Sequence, residues 1–405
     1  MQLPSGFRFA GVTCGIKKSG KPDLTLVVAD PGSVAAGVYT QNQVVAAPVV
    51  LSRSRTPGAI RAVVVNSGNA NACTGQRGME DAEQTTRWVA EAVGCEPSEV
   101  LVMSTGVIGH HLPMERISAG VAQASGELAS DPDAFLRAAD AILTTDQGRK
   151  IAARQSTLPG GETISLAGMA KGAGMIGPNM ATMLGLVVTD LTLSAEDAQA
   201  ALSHAADRSF NRISVEGHTS TNDTLVLLSS NRVGTAAQTK GAQTKGAQTD
   251  GDTLAAFTAA LTEMCIELAK KIPADGEGAT HVIEIAVRGA QTDASAAKIA
   301  KTIAESALVK TAITGGDPNW GRIVSAAGYA GEPIEPAAMA LAIQGTQVYR
   351  DGAPVAFDAA AASAAIRSAS EVRLELIVGR GAGEATFWTS DLTVDYVRFN
   401  SEYTT

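Results

Sequence analysis

Thr182 stands in GPNMATMLGLVV, where a glycine-rich loop meets a strongly apolar run. A threonine so placed can act on its own chain. If the Ala181–Thr182 peptide is strained in a tight loop, the hydroxyl attacks the Ala181 carbonyl and the acyl group shifts from nitrogen to oxygen. Water then releases a new N-terminal Thr. Its α-amine, with an ordinary pKa of about 7.7 to 8.0, is partly neutral near neutral pH and can take the proton of its own hydroxyl without a histidine. On residue types alone, the plainer reading of Thr182 as a strand residue is the stronger.

Other patterns fail on context. Gly172, Gly174 and Gly177 have GxGxxG spacing after TISLAGMA, but a dinucleotide site needs a helix directly after the third glycine, and here Pro178 and then the strand-like MLGLVV follow. There is no GxxxxGK[ST], HExxH or GxSxG string. Of the five histidines, His110, His111, His204, His218 and His281, only the first two adjoin, and sequence neighbours point apart on either regular element. No metal site is expected. A Ser-His-Asp triad stays open, although no serine stands in an elbow-like string.

The elements that must position these residues read as mixed α and β. DLTLVVAD, AAPVVLS, AIRAVVVNSG and EVLVMSTG are short apolar runs closed by turn residues, and read as strands. Residues 131–143 begin with Asp131 and an early Pro, and residues 194–204 begin with Ser194 followed by Asp197, so both predict capped helices. A third helix from Leu254 puts Phe257, Leu261, Met264, Cys265 and Leu268 on one apolar face, which buries Cys265. HVIEIAV, EVRLELIV and ATFWTSDLTVDYVRF predict strands, and 296–309 a helix. The AQTKG, AQTKG, AQTDG repeat over 237–251 has no large apolar residue and predicts an exposed low-complexity loop.

The 405 residues allow two to three domains or one fold built from two halves. A net charge of -9 argues against a nucleic-acid partner, which needs a cationic face to displace counterions. Cys14, Cys73, Cys95 and Cys265 are scattered with no CxxC pair, which fits a reducing cytoplasm. The N-terminus lacks a secretory apolar stretch, and no run is long and apolar enough for a membrane span.

Seven strings, in order, resemble the ornithine acetyltransferase (glutamate N-acetyltransferase) family of arginine biosynthesis. They are NSGNANACTG from Asn66, STGVIG from Ser104, TTD from Thr144, KGAGMIGPNMATML from Lys171, TSTND from Thr219, DGEGAT from Asp275 and DPNWGRI from Asp317. The resemblance implies an α+β protein of four-layer α/β/β/α type with no cofactor. It implies a precursor cut between Ala181 and Thr182 into an α chain, 1–181, and a β chain, 182–405, that associate as an α2β2 heterotetramer. Thr182 would be acetylated by N2-acetyl-L-ornithine and would pass the acetyl group to L-glutamate in a ping-pong cycle. Thr105 and Gly106 would form the oxyanion hole. Lys171 and Thr145 would bind the substrate, Glu277 its amino end, with Asn400 and Thr405 closing the pocket. Whether acetyl-CoA also serves as donor stays open. The alternative is an N-terminal-nucleophile aminopeptidase or amidase, which would pass the acyl group to water.

Two places depart from the family's pattern. TTDQGRK replaces a TTD followed by Thr and later Pro-Lys, which weakens the assignment of Thr145. SVEGHTSTND carries Glu216 and His218 where Asp is usual, giving a turn of different charge that could titrate near neutral pH, with His218 read as structural.

Overall fold

A computed structural model describes residues 1–177, 183–234 and 249–402. The chain divides into two compact units: Met1–Gly172, Asn179–Phe210 and Thr219–Ala269 form the first, and Ala173–Pro178, Asn211–His218 and Lys270–Thr405 the second.

The first unit contains two mixed sheets. One has the order Phe7–Val12, Leu24–Ala29, Ala62–Asn69, Val100–Val107, and the other Gly58–Ala59, Val34–Tyr39, Thr224–Val233, Leu184–Leu191, Thr163–Lys171, Lys150–Thr157. The apolar runs are continuous because both faces of these strands are covered. In Leu24–Ala29, Leu24, Leu26 and Val28 join a cluster with Ile117, Val121, Ala82 and Val89 from the helices Met114–Gly126 and Gly75–Val93. The alternate residues Val27 and Ala29 join a second cluster with Met169, Leu186, Val188 and Val226 of the other sheet. That second sheet is backed in turn by helices. Ala195–Arg208 packs on it, and a methyl group on Gly168 would lie 2.8 Å from Leu268 of helix Gly251–Ala274. The order is therefore helix, sheet, sheet, helix, and the α/β/β/α expectation holds within this unit. Helix Pro132–Ala141 inserts Phe135 between the sheets, edge-on to Phe9 at 5.2 Å between centroids.

The second unit has a seven-stranded mixed sheet in the order Ile213–Ser214, Gly383–Ser390, Val282–Ala290, Glu371–Ile377, Ala340–Ile343, Thr346–Arg350, Ala353–Pro354. In Glu371–Ile377, Val372, Leu374 and Leu376 face a core shared with Ile299, Ile303, Ile313 and Ile366, while Arg373 and Glu375 pair on the other face at 3.2 Å. This unit is a two-layer α/β structure with one polar sheet face.

The capped helices form as expected. Asp131 accepts from Ala134 N, Ser194 accepts from Asp197 N, and Cys265 is fully buried. Three expectations are corrected. AAPVVLS is the helix Ala47–Arg53, because Pro48 suits a first turn and Ser52 turns inward to donate to Val102 O at 2.7 Å. The helix expected over 296–309 is two, Asp293–Ala304 and Ala307–Thr314, since Ser306 caps the second by accepting from Val309 N. The expected strand through the end of ATFWTSDLTVDYVRF stops at Ser390, and Val394–Glu402 is helix, with Thr393 Oγ1 accepting from Tyr396 N at 3.2 Å. The 237–251 repeat lies outside the described residues except for its last three, of which Gly251 opens a helix. Among the described residues no helix is long and apolar enough to cross a membrane.

Phe135 is 1% exposed between two sheets that have little room to collapse on a void. Phe135→Ala should cost about 3–5 kcal/mol of stability in urea unfolding; a loss below about 1 kcal/mol would mean that the sheets close over the gap.

Candidate functional site

In the first unit, Thr105 and Gly106 end the strand Val100–Val107, Thr105 buried and Gly106 exposed. Gly106 has φ +135, and a methyl group there would strike the backbone of Gly68, so the position requires glycine twice over. The NSGNANACTG string shapes this strand end. Asn66 Oδ1 accepts from Ser104 Oγ at 2.6 Å, Asn66 Nδ2 donates to Asn69 O at 2.8 Å, and Asn69 Nδ2 donates to His110 O and His111 O. From the facing sheet, Asn222 Nδ2 donates to Ala70 O at 2.6 Å and to Ser104 O at 2.9 Å.

Lys171 is the last residue of Thr163–Lys171, is 2% exposed, and donates from Nζ to Thr105 Oγ1 at 3.4 Å. Beside it is a buried ion pair that the sequence reading missed. Asp146 Oδ1 accepts from Lys150 Nζ at 2.6 Å and from Gly172 N at 2.7 Å, and Oδ2 accepts from Thr144 N at 2.9 Å. Burial alone would raise the Asp146 pKa, but the Lys171 and Lys150 ammoniums hold it well below the usual carboxylate range. The signal was the i,i+4 spacing of Asp146 and Lys150 inside the TTDQGRK departure. Thr145, on the same turn, is half-buried.

Asp223, which closes the TSTND string, is also fully buried. Its Oδ1 accepts from Met183 N at 2.9 Å, and its Oδ2 has no hydrogen-bond partner among the described residues. Burial drives its pKa well above the ordinary carboxyl value, against the pull of Met183 N–H and Lys171, which favours the neutral acid. Ala181 and Thr182 lie outside the described residues, as does Thr405.

In the second unit, Glu277 N donates to Ala173 O at 2.9 Å, and the Glu277 carboxylate lies where a side chain on Gly174 would be, 2.5 Å from an added methyl group. Asn400 Nδ2 donates to Glu277 Oε2 at 3.2 Å, so the structure brings these two expected residues together. Glu216 Oε1 accepts from Ile176 N at 2.5 Å, while its Oε2 is buried without a partner among the described residues. Burial pushes its pKa up to about 7, so Glu216 can itself titrate near neutral pH, and His218 is exposed. Lys310 Nζ donates to Val215 O beside it, and burial lowers the Lys310 pKa to about 8. Gly174 and Gly177 thus serve close packing: Gly174 admits Glu277, and a methyl group on Gly177 would meet Gly217 at 2.6 Å.

The sequence profile of the ArgJ family matches residues 8–405. An arginine biosynthesis bifunctional protein ArgJ from Rhodopirellula baltica is 52% identical, the match covering 100% of this chain and 96% of the relative. One of the same name from Symbiobacterium thermophilum is 47% identical, covering 99% and 98%. Among solved structures, an ornithine acetyltransferase from Mycobacterium tuberculosis complexed with ornithine is 46% identical, covering 44% of this chain and 93% of its own, with a TM-score of 0.41.

Two variants test the electrostatics. Asp146→Asn removes the buried carboxylate that accepts from Lys150 Nζ and should cost about 3–5 kcal/mol in urea unfolding. Because the Asp146 pKa is depressed, its contribution is complete above the ordinary value of 3.8 and is lost as pH falls below it, so the deficit should shrink in acid. Glu216 has a raised pKa, so its contribution is complete below 4.5 and is lost as pH rises through about 7. Glu216→Gln should therefore flatten the stability profile over that window, and an unchanged profile would place the titration elsewhere.

Proposed function

The chain belongs to the ArgJ family, and on that premise we propose that it is a glutamate N-acetyltransferase of arginine biosynthesis that acts through an acetyl ester on Thr182. The chain first cuts itself between Ala181 and Thr182. The Thr182 hydroxyl, its proton taken by the new α-amine, attacks the acetyl carbonyl of N2-acetyl-L-ornithine. The tetrahedral intermediate collapses with departure of ornithine, whose amine takes up the proton. The α-amine of L-glutamate then attacks the ester, and Thr182 is regenerated.

The observation that carries this reading is the meeting of Thr105, Gly106 and Lys171 in the first unit. A hydroxyl and a backbone N–H at one strand end suit the oxygen that becomes negative in both half-reactions. The buried ammonium of Lys171, 3.4 Å from the Thr105 hydroxyl, suits a substrate carboxylate. Glu277, joined by Asn400, suits a substrate amino end, and Thr145 and Thr405 complete the assigned binding residues. The designation of the relatives as bifunctional fits acetyl-CoA as a second acetyl donor.

The strands Thr163–Lys171 and Leu184–Leu191 flank the cut and pair antiparallel from Leu166↔Thr189 to Lys171↔Leu184. Cleavage therefore leaves both chains, 1–181 and 182–405, held in one sheet. We infer an α2β2 assembly of these chains in the cytoplasm, in keeping with four cysteines present as free thiols.

Intact mass and N-terminal sequencing of the purified protein test the reading. Two chains are expected, the larger beginning Thr-Met-Leu-Gly, and the mixture should transfer acetyl from N-acetylornithine to glutamate. Thr182→Ala should give one uncut chain without transferase activity; normal cleavage in that variant would overturn the self-processing. Acetyl release to water in place of glutamate would mark an amidase instead.

A further inference from the structure

Glu277 and Asn400 stand 123 positions apart in the chain, yet one short segment of the second unit fixes both. Glu277 lies within a turn that Ala279 N closes by donating to Gly276 O at 2.9 Å. Gly278 follows at φ +70, and a methyl group there would strike Tyr396 N in the first turn of helix Val394–Glu402. The turn is therefore pressed against the helix that carries Asn400.

Beyond the turn, buried Asp391 grips the chain as it enters the strand Val282–Ala290. Its Oδ1 accepts from Thr280 N at 2.9 Å and from His281 N at 3.1 Å. Its Oδ2 accepts from Thr280 Oγ1 at 2.5 Å and from His281 Nδ1 at 3.0 Å. Asp391 N in turn donates to His281 O at 3.0 Å, so the hold runs in both directions. Burial alone would raise the Asp391 pKa, but the bonds from Thr280 and His281 hold it below the ordinary value, which keeps the acceptor anionic. Two residues on, Thr393 Oγ1 donates to Gly278 O at 2.6 Å and accepts from Tyr396 N at 3.2 Å. A single hydroxyl thus ties the turn of Glu277 to the start of the Asn400 helix. Neither Asp391 nor Thr393 is among the residues assigned to the substrate, and the position of both assigned residues depends on them.

We propose that Asp391 and Thr393 are positioning residues for the Glu277–Asn400 pair, and that selection of a substrate bearing a side-chain ammonium depends on them. The inference rests on the acetyl-transfer reading, in which Glu277 takes the amino end of N-acetylornithine. A charge-assisted hydrogen bond keeps its strength only while donor and acceptor stay in line, so a turn released from Asp391 loses selectivity before it loses its fold.

The test compares N2-acetyl-L-ornithine with N2-acetyl-L-norvaline, the same molecule without its side-chain amine, as acetyl donors to glutamate on the mature, self-cleaved enzyme. The wild type should favour the ornithine compound in kcat/KM by about tenfold or more, the scale of one charge-assisted hydrogen bond. Asp391→Asn, which places an amide donor where a carboxylate oxygen accepts, should remove most of that preference through the KM for the ornithine compound. Thr393→Val should do the same, and Thr393→Ser, which keeps the hydroxyl, should retain it. A merely structural defect lowers the amount of active enzyme and scales both donors alike, leaving the ratio intact. A wild-type ratio near one, or a ratio unchanged in either Asp391→Asn or Thr393→Val, would overturn the proposal. If those variants do not fold or cleave, amide hydrogen exchange of the wild-type enzyme decides. Ornithine should slow exchange over 277–281 and 394–400 together, norvaline should not, and exchange that ornithine leaves unaltered in either segment would sink the idea. A wild-type enzyme that transfers acetyl from neither donor would instead overturn the acetyl-transfer reading, and the exchange experiment would still decide whether the two segments respond to an amino end as one.

Discussion

The carboxylate of Asp146 is buried among groups that would not tolerate its absence: it accepts from Lys150 Nζ, from Gly172 N and from Thr144 N. A buried ammonium is costly unless paired, and here one carboxylate supports two. Lys171 can end its strand with its ammonium at the Thr105 hydroxyl because Asp146 supplies the compensating charge. The bond from Gly172 N to the same carboxylate also fixes where the chain leaves that strand. The position of Lys171 and the point where the chain leaves its strand therefore share one anchor.

Around that anchor the first unit is built for rigidity. Both sheets are covered on both faces, so each strand is over-determined and a shift of one residue would exchange two apolar cores. The ends of the strands carry the polar chemistry. Asn66, Asn69 and Asn222 satisfy backbone carbonyls that sheet pairing leaves open at Ser104, Asn69, Ala70 and the histidine pair. Such a frame suits oxyanion donors, which stabilise charge only if they need not move to meet it.

The carboxylates of the second unit behave in another way. Glu277 has Asn400 as a partner, while Glu216 keeps one buried oxygen without one and has its pKa raised to about 7 by burial. The Glu216 carboxylate reaches the Ile176 amide. It thereby joins the turn to the glycine-rich segment at an electrostatic cost that depends on pH.

Strands whose apolar runs end in turn residues, helices with Asp131 or Ser194 at their caps, and the buried face of Cys265 were legible in the sequence because local pattern and cap chemistry specify them. The strings around Thr105, Lys171, Thr182 and Glu277 were legible as a family likeness. AAPVVLS was not, since a short β-branched run carries no period of its own, and Pro48 in a first turn together with the contact of Ser52 with the Val102 carbonyl fits the helix. Asp146, Lys150 and Asp223 were not legible as a set either. Their meaning lies in which charges burial forces together, and residues from 146 to 223 come into one electrostatic neighbourhood only when the first unit folds.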